Sequence, residues 1–206
     1  MATVEKKPDG PIALMIDVET LALSPRAFVT QVGLCVANVE TREYLKGPTN
    51  YWLSKHHQLE RTIDFDTVRW WVKQDPKVIA NVFEAPERPG GTSMDGDRQD
   101  RVSPQELFHI VEALMKAHPG MTVWGSPAMF DLPLLTDLWG GRKPWPYNFE
   151  RDMMTLYKLL DPTGEWQPPD NTMGHDAAAD AQWQMEYLFN LLALLRENNL
   201  TTPQSA

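Results

Sequence analysis

The chain has 206 residues, of which 42% are hydrophobic and 10% aromatic, and its formal net charge at pH 7 is −9. This length suffices for one substantial hydrophobic core, so we expect a single domain over residues 1–206, with the core at about 12–198. The surplus of acids argues against simple electrostatic binding of a polyanion, but this objection weakens if some of the acids bind metal ions.

Cysteine content and hydropathy indicate the cellular compartment in which we expect the protein. The one cysteine, Cys35, lies in the apolar stretch "VGLCVANV" and is expected to pack in the core. A single cysteine excludes a disulfide framework within the chain, which fits a reducing compartment. The first residues, "MATVEKKPDG", lack the apolar core of a signal peptide, and no segment approaches the ~18 apolar residues of a membrane span. We therefore expect a cytoplasmic protein without a membrane partner.

The first part of the chain has strand patterns. Residues 12–19 and 28–39 are apolar on both faces, and "EYLKGPTNYWL" follows them as a third strand interrupted by its Gly-Pro pair. Three consecutive strands predict an antiparallel meander.

Helix signals dominate the middle of the chain. The segment "DTVRWWVKQDP" has helical spacing and is expected to stop at Pro76. Residues 84–104 are rich in Pro, Gly, Asp and Arg and are interpreted as a mobile surface loop. Ser103, followed by Pro104 and by Glu106, predicts a capping box for a helix over about 104–118.

The last third alternates short elements with a long helix. "MTVWGS" is predicted to be a buried strand, and "MFDLPLLTDLWGG" and "RDMMTLYKLL" are predicted helices. The final helix should run from about 176 to 197, followed by a frayed tail. Strands followed by alternating helices and strands predict an α/β fold with a mixed sheet.

Two acids end the first predicted strand. Because side chains alternate along a strand, Asp17 and Glu19 should project from the same face, about 6.6 Å apart along the chain. The motif D-x-E also occurs by chance and is then usually solvated. Here it ends an apolar run, where carboxylates are costly to bury unless a metal ion or a base compensates them.

Other candidate site residues lie far away in the sequence. Asp131, after a predicted strand and turn, is compatible with a site or with an ordinary helix cap. Asp180 should lie on the buried face of the last helix, together with Trp183, Tyr187, Leu188, Leu191 and Leu195. His175 can face the same site only from the loop before that helix, because five helical residues would rotate it about 140° away.

These motifs, in this order, resemble those of the DEDDh family of 3′-5′ exonucleases. The pattern "W-G-x-x-A-x-F-D-x-x-x-L" surrounds the third acid, and H-x4-D opens the last helix. The five family positions are filled by Asp17, Glu19, Asp131, His175 and Asp180. Segments such as "IDVETLALSP" further resemble the phage and bacterial branch with exonuclease VIII-like and related exoribonuclease domains. The resemblance implies an RNase H-like fold, a mixed five-stranded sheet with helices on both faces.

The resemblance also implies metal chemistry. All-oxygen sites without cysteine or paired histidines suit Mg²⁺ or Mn²⁺ better than zinc. Two such ions would be bridged by Asp17. Glu19 and Asp180 would bind the ion that activates the attacking water, and Asp131 would support the second ion. His175 would accept the proton of that water, because an imidazole titrates near neutral pH, and would swing in from its loop when substrate binds.

Substrate contacts are expected from apolar and basic side chains. Leu21 matches the position at which family members pack against the terminal base, but it fits the core equally well. Phe130 and the pair Trp70 and Trp71 are candidates for base stacking, with only one tryptophan of the pair expected to face the site. A phosphate track is a further hypothesis, and a solvated face is an equal alternative for each of its candidates: Lys55, Arg61, Arg69, Lys73, Lys77, Arg98 and Arg101.

The sequence thus predicts a metal-dependent 3′-5′ exonuclease that acts on single-stranded DNA or RNA and releases nucleoside 5′-monophosphates. A binding module of the same fold without activity and an RNase H-like endonuclease are the alternatives. A homodimer is kept as one possible assembly. "WGSPA" is not a nucleophile elbow, so the sequence does not support a serine hydrolase.

Overall fold

A computed structural model describes residues 11–83, 101–169 and 174–197. The strands are β1 (Ile12–Thr20), β2 (Val29–Asn38), β3 (Glu43–Trp52), β4 (Thr122–Gly125) and β5 (Glu150–Asp152). The helices are α1 (Phe65–Trp71), α2 (Pro76–Phe83), α3 (Pro104–Ala117), α4 (Ala128–Leu138), α5 (Met153–Leu160) and α6 (Ala177–Glu197). Within these described ranges, no helix is long and apolar enough to cross a membrane.

The strands form one mixed sheet in the order β3-β2-β1-β4-β5. β1, β2 and β3 are antiparallel neighbours, so the predicted meander is confirmed. β4 runs parallel to β1 and to β5. This arrangement puts the carboxyl ends of β1 and β4 at the same edge of the sheet.

The two faces of β1 belong to different cores. Its even-numbered residues, such as Leu14 and Ile16, pack with residues of α3 and α4. Its odd-numbered residues, Ala13 and Met15, pack with α6. Continuing this alternation, Asp17 and Glu19 lie on the α6 face, as the period of a strand requires.

Two elements were not predicted. The three residues of β5 carry no apolar pattern, and the strand exists because its backbone pairs with β4. The sequence pattern predicts Pro76 only as the end of the preceding helix, but in the structure Pro76 is also the first residue of α2. Proline is favoured at the first helical position because the missing N–H would have no helical partner there.

Ordered structure begins before the predicted end of the loop over 84–104. Residues 84–100 lie outside the described part of the chain. Val102 pairs with Leu53, and the Arg101 guanidinium donates to the carbonyl oxygens of Leu53 and Phe83. α3 begins at Pro104 with the predicted capping box.

The buried face of α6 is rotated relative to the prediction. Tyr187, Leu188 and Leu191 are buried as predicted, but Trp183 and Leu195 are partly exposed. The buried face also includes residues outside the predicted stripe: the small Ala177, Ala178 and Ala181, the polar Gln184, and the large apolar Met185 and Phe189. Small side chains allow this helix to approach the sheet closely.

The closest approach is at Gly33 of β2, which pairs with Asp17 of β1. A Cβ atom on Gly33 would lie 1.9 Å from the carbonyl carbon of Ala177, the first residue of α6. Such a distance is impossible, so α6 can begin at this place on the sheet only because glycine has no side chain.

We expect Gly33→Ala to lower the free energy of unfolding by about 1–3 kcal/mol, as overpacking typically does, because α6 must move away from the sheet. Urea unfolding measures this change. Gly47→Ala is the matched control on β3, because a Cβ there would meet no atom within 4 Å. Equal unfolding midpoints for the two variants would contradict the prediction.

Candidate active site

Asp17 lies at the centre of an acidic cluster at the end of β1. Burial raises the pKa of its carboxyl well above the usual value, and the charges of Asp131, Glu19 and Asp180 raise it further. The Gln184 amide opposes this effect by donating a hydrogen bond of 2.8 Å to Asp17 Oδ1. Without a cation, the carboxyl groups of the cluster therefore cannot all be ionised at once near neutral pH.

Glu19 is in the same situation. Burial raises its pKa to about 8, and the neighbouring carboxylates of Asp180, Asp176 and Asp131 contribute in that order. A carboxyl with such a pKa binds a proton near neutral pH unless a positive charge replaces that proton.

Asp131 is brought to the cluster by α4, directly after β4. Its Oδ2 accepts a hydrogen bond of 3.1 Å from the backbone N–H of Ser126. Burial raises the pKa of Asp131 to about 7, although the Ser126 N–H opposes this shift. The carboxylate fits closely over the end of β4, because a Cβ on Gly125 would lie 2.8 Å from Asp131 Oδ2.

His175 and Asp180 enter from the beginning of α6. His175 lies in the turn before this helix with a φ of 65°, in the left-handed region that residues other than glycine rarely adopt. Its backbone N–H donates a hydrogen bond of 3.0 Å to Asp180 Oδ2, which fixes this turn. Potential ligand atoms of Glu19, His175 and Asp180 all lie within 4.8 Å of one another.

Asp176 is a residue of this region that the sequence analysis missed. Its Oδ1 accepts the backbone N–H of Ala179, and its Oδ2 accepts hydrogen bonds from Asn50 of β3 and Asn81 of α2. Asp176 therefore fixes the beginning of α6 against two other elements. An aspartate directly before a helical pattern is a typical N-cap, and this signal was available in the sequence.

An apolar cleft of about 660 Å³ opens beside the acids. Its walls include Glu19, Trp70, Trp71 and Phe130. The predicted candidates for base stacking thus lie beside the acidic cluster, with Trp70 43% exposed and Trp71 buried.

Leu21 does not line this cleft. It is 8% exposed and packs with Trp71 and Val82, so the structure favours the core alternative for this residue. Leu23, two residues later, lines the cleft and is 82% exposed. Strand alternation would place these two leucines on the same face because they are two positions apart. β1 ends at Thr20 with a shift in its pairing, so neither leucine follows that alternation, and the sequence does not predict which of them faces the cleft.

The imidazole of His175 already lies inside the site. Its ring centroid is 4.8 Å from that of Trp70 and 5.7 Å from that of Trp71, both in edge-to-face arrangements. Trp71 is itself fixed by a hydrogen bond of 2.9 Å from its Nε1 to the carbonyl oxygen of Thr20. The two tryptophans therefore position His175 as well as lining the cleft, and no swing of the loop is needed to bring the ring in.

Two members of the hypothesised phosphate track have structural contacts. Arg61 pairs with Asp137 at 2.9 Å and donates to the carbonyl oxygen of Ala27. Arg101 donates to the carbonyl oxygens of Leu53 and Phe83. Arg98 lies outside the described residues.

Comparison with known families decides the assignment. A family model described as the 3′-5′ exoribonuclease Rv2179c-like domain matches residues 12–192. The chain belongs to this family. It is therefore a hydrolytic 3′-5′ exonuclease, as the sequence predicted. No curated protein matches the sequence.

Solved structures share the fold of this exonuclease. The nuclease domain of 3′hExo, a DEDDh family member bound to rAMP, is 11% identical with a TM-score of 0.56, over 89% of this chain and 92% of that one. S. pombe Pop2p in its Mg²⁺- and Mn²⁺-bound form is 10% identical with a TM-score of 0.57, over 91% and 84%. These similarities confirm the RNase H-like exonuclease fold with its mixed five-stranded sheet.

A third solved structure is larger than this exonuclease. E. coli ExoI, in the metal-free form of its complex with ssDNA, is 13% identical with a TM-score of 0.54. The alignment covers 92% of this chain but 40% of the ExoI chain. The exonuclease thus spans less than half of the length of ExoI.

The acidic cluster of the exonuclease fits divalent cations. Its members are carboxylates, which are ligands for hard cations such as Mg²⁺ and Mn²⁺. Each of Asp17, Glu19 and Asp131 has a pKa that is raised first by burial and then by neighbouring carboxylates, and a cation would offset both effects.

Proposed function

We propose that the chain hydrolyses phosphodiester bonds of single-stranded nucleic acid from the 3′ end and releases nucleoside 5′-monophosphates. The observation that carries this proposal is the convergence of carboxylates from β1, α4 and α6 beside an apolar cleft. The family description supports RNA as a substrate, and DNA remains the alternative. The apolar cleft has the volume for a nucleotide base, and a terminal base can stack on its aromatic walls.

Two Mg²⁺ or Mn²⁺ ions are the proposed cofactors. Asp17, Glu19, Asp131 and Asp180 would hold them, and the Mg²⁺- and Mn²⁺-bound form of the structurally similar Pop2p supports this choice of ions. Bound at these residues, the ions would supply Lewis acidity for an in-line displacement at phosphorus.

The remaining chemistry belongs to the protein. His175 would accept the proton of the attacking water, because its ring lies among the acids and is fixed by Trp70 and Trp71. The cleft walls would hold the terminal nucleotide so that its phosphodiester lies over the carboxylates.

One assay tests the proposal. The purified protein is incubated with oligonucleotides labelled at the 5′ or at the 3′ end, as RNA and as DNA, with Mg²⁺, Mn²⁺ or EDTA. We expect a ladder that shortens from the 3′ end, release of nucleoside 5′-monophosphates and no cleavage in EDTA. Internal cleavage would favour an endonuclease, binding without cleavage would favour an inactive module, and cleavage in EDTA would contradict the metal dependence.

We expect His175→Ala to lower turnover about 10²-fold or more, within the usual range for loss of a general base. Calorimetric titration with Mn²⁺ should show that metal binding is largely retained. His109→Ala is the matched control, because His109 is exposed on α3. Unchanged turnover would remove His175 from the mechanism, and an equal loss of Mn²⁺ affinity would identify it as a ligand.

A further inference from the structure

The side-chain amide of Gln184 contacts the acidic cluster from α6. Gln184 lies one helical turn after Asp180 on α6 and is 7% exposed. Its neighbours on this face include Ala181, Met185 and Leu188, so an apolar side chain would pack here at least as well. A buried amide lowers stability unless its hydrogen bonds are satisfied.

Only half of this amide is satisfied. Nε2 donates a hydrogen bond of 2.8 Å to Asp17 Oδ1. In the described part of the chain, Gln184 Oε1 is buried and has no hydrogen-bond partner. The unsatisfied oxygen therefore lowers stability, and the hydrogen bond that the amide does form is with the central acid of the site.

The carboxylates of the cluster differ in how they are fixed. Backbone N–H groups fix Asp131 and Asp180, at 3.1 Å from Ser126 and at 3.0 Å from His175. For Asp17, the donor in the described residues is the side chain of Gln184. The last torsion of an aspartate is broad, so a single donor largely determines how its two oxygens are directed.

We propose that Gln184 is a positioning residue that engages Asp17 Oδ1 and thereby directs the other oxygen, Oδ2, to the cations. This inference rests on the proposed metal-dependent function. Groups that orient a ligand typically change metal affinity or activity 10–100-fold when they are removed.

Gln184→Met tests this role because it retains the length of the side chain and removes the donor. We expect Mn²⁺ affinity, measured by calorimetry, to fall about tenfold. Thermal unfolding without metal should change little, because the variant removes the unsatisfied Oε1 together with the hydrogen bond. Gln184→Leu is a second variant without a donor and should give the same result.

Gln182→Met is the matched control on α6. Its Nε2 donates a hydrogen bond of 2.8 Å to Glu186, so this variant also removes an amide bound to a carboxylate, but outside the acidic cluster. It should bind Mn²⁺ as the wild type does.

Wild-type Mn²⁺ affinity in the folded Met and Leu variants would overturn the role of Gln184 and leave the proposed function intact. Equal losses of affinity in the Gln182 and Gln184 variants would also overturn it. A wild-type protein that neither binds Mn²⁺ nor cleaves nucleic acid would overturn the proposed function itself, and the role of Gln184 with it.

Discussion

Asp17→Asn should lower the cleavage rate at least about 10³-fold. Asp17 is a proposed metal ligand, and a bound metal ion supplies several kcal/mol of transition-state stabilisation, of which each 1.36 kcal/mol corresponds to a factor of ten in rate. Burial raises the pKa of Asp17, and Asp131, Glu19 and Asp180 raise it further, so a change at Asp17 affects the whole site. The measurement is the initial rate of release from a 3′-labelled RNA with saturating Mg²⁺ or Mn²⁺.

The same substitution should stabilise the metal-free protein. An amide retains the shape of the side chain and can still accept the hydrogen bond from Gln184, but it replaces a carboxyl whose ionisation is opposed by burial and by the neighbouring acids. Glu60→Gln is the control, because it neutralises an exposed acid outside the cluster and should change neither property. A substantial residual rate with Asp17→Asn, or a lower melting temperature in EDTA, would contradict this account.

The second large effect is a loss of stability with rising pH when metal is absent. The pKa of Glu19 is raised from 4.5 to about 8, and that of Asp131 from 3.8 to about 7. The folded chain therefore binds more protons than the unfolded chain between these values, and the free energy of unfolding falls as the pH rises. This stability is fully present below about pH 4 and is lost as the pH passes through 7 to 8.

Cations should reverse this loss. We expect Mn²⁺ to raise the melting temperature more at pH 8 than at pH 5, because the ligands must lose their protons to bind it. Thermal unfolding in EDTA and in Mn²⁺ at both pH values measures the effect, and Glu19→Gln should have a flatter pH profile in EDTA. Stability that rises from pH 5 to pH 8 in EDTA would contradict the prediction.

Local signals in the sequence predicted the elements that depend on local chemistry. The capping box at Ser103 and Glu106 is present, with Glu106 Oε2 accepting the Ser103 N–H at 2.7 Å. The alternation of β1 places Asp17 and Glu19 on one face as predicted. Both patterns are determined by residues a few positions apart, which is why the sequence reveals them.

The missed features depend on residues that are distant in the sequence. β5 forms because it pairs with β4, and its three residues alone do not favour a strand. Gln184 is indistinguishable from a surface glutamine until α6 is placed on the sheet, 167 positions from its partner Asp17. Site roles, the exonuclease VIII-like branch, the cytoplasmic location and a homodimer stay predictions.

The alternation of β1 places the acids and also restricts changes in the length of the strand. Ile16 and Val18 pack in one core while Asp17 and Glu19 belong to the site on the opposite face. Deleting one residue between Ala13 and Asp17 would exchange the faces of the apolar residues and of the acids. The acids would then point into the hydrophobic core on the opposite face. A single substitution in this strand changes one side chain on one face, whereas a single-residue insertion or deletion reverses both faces and disrupts the core and the active site together.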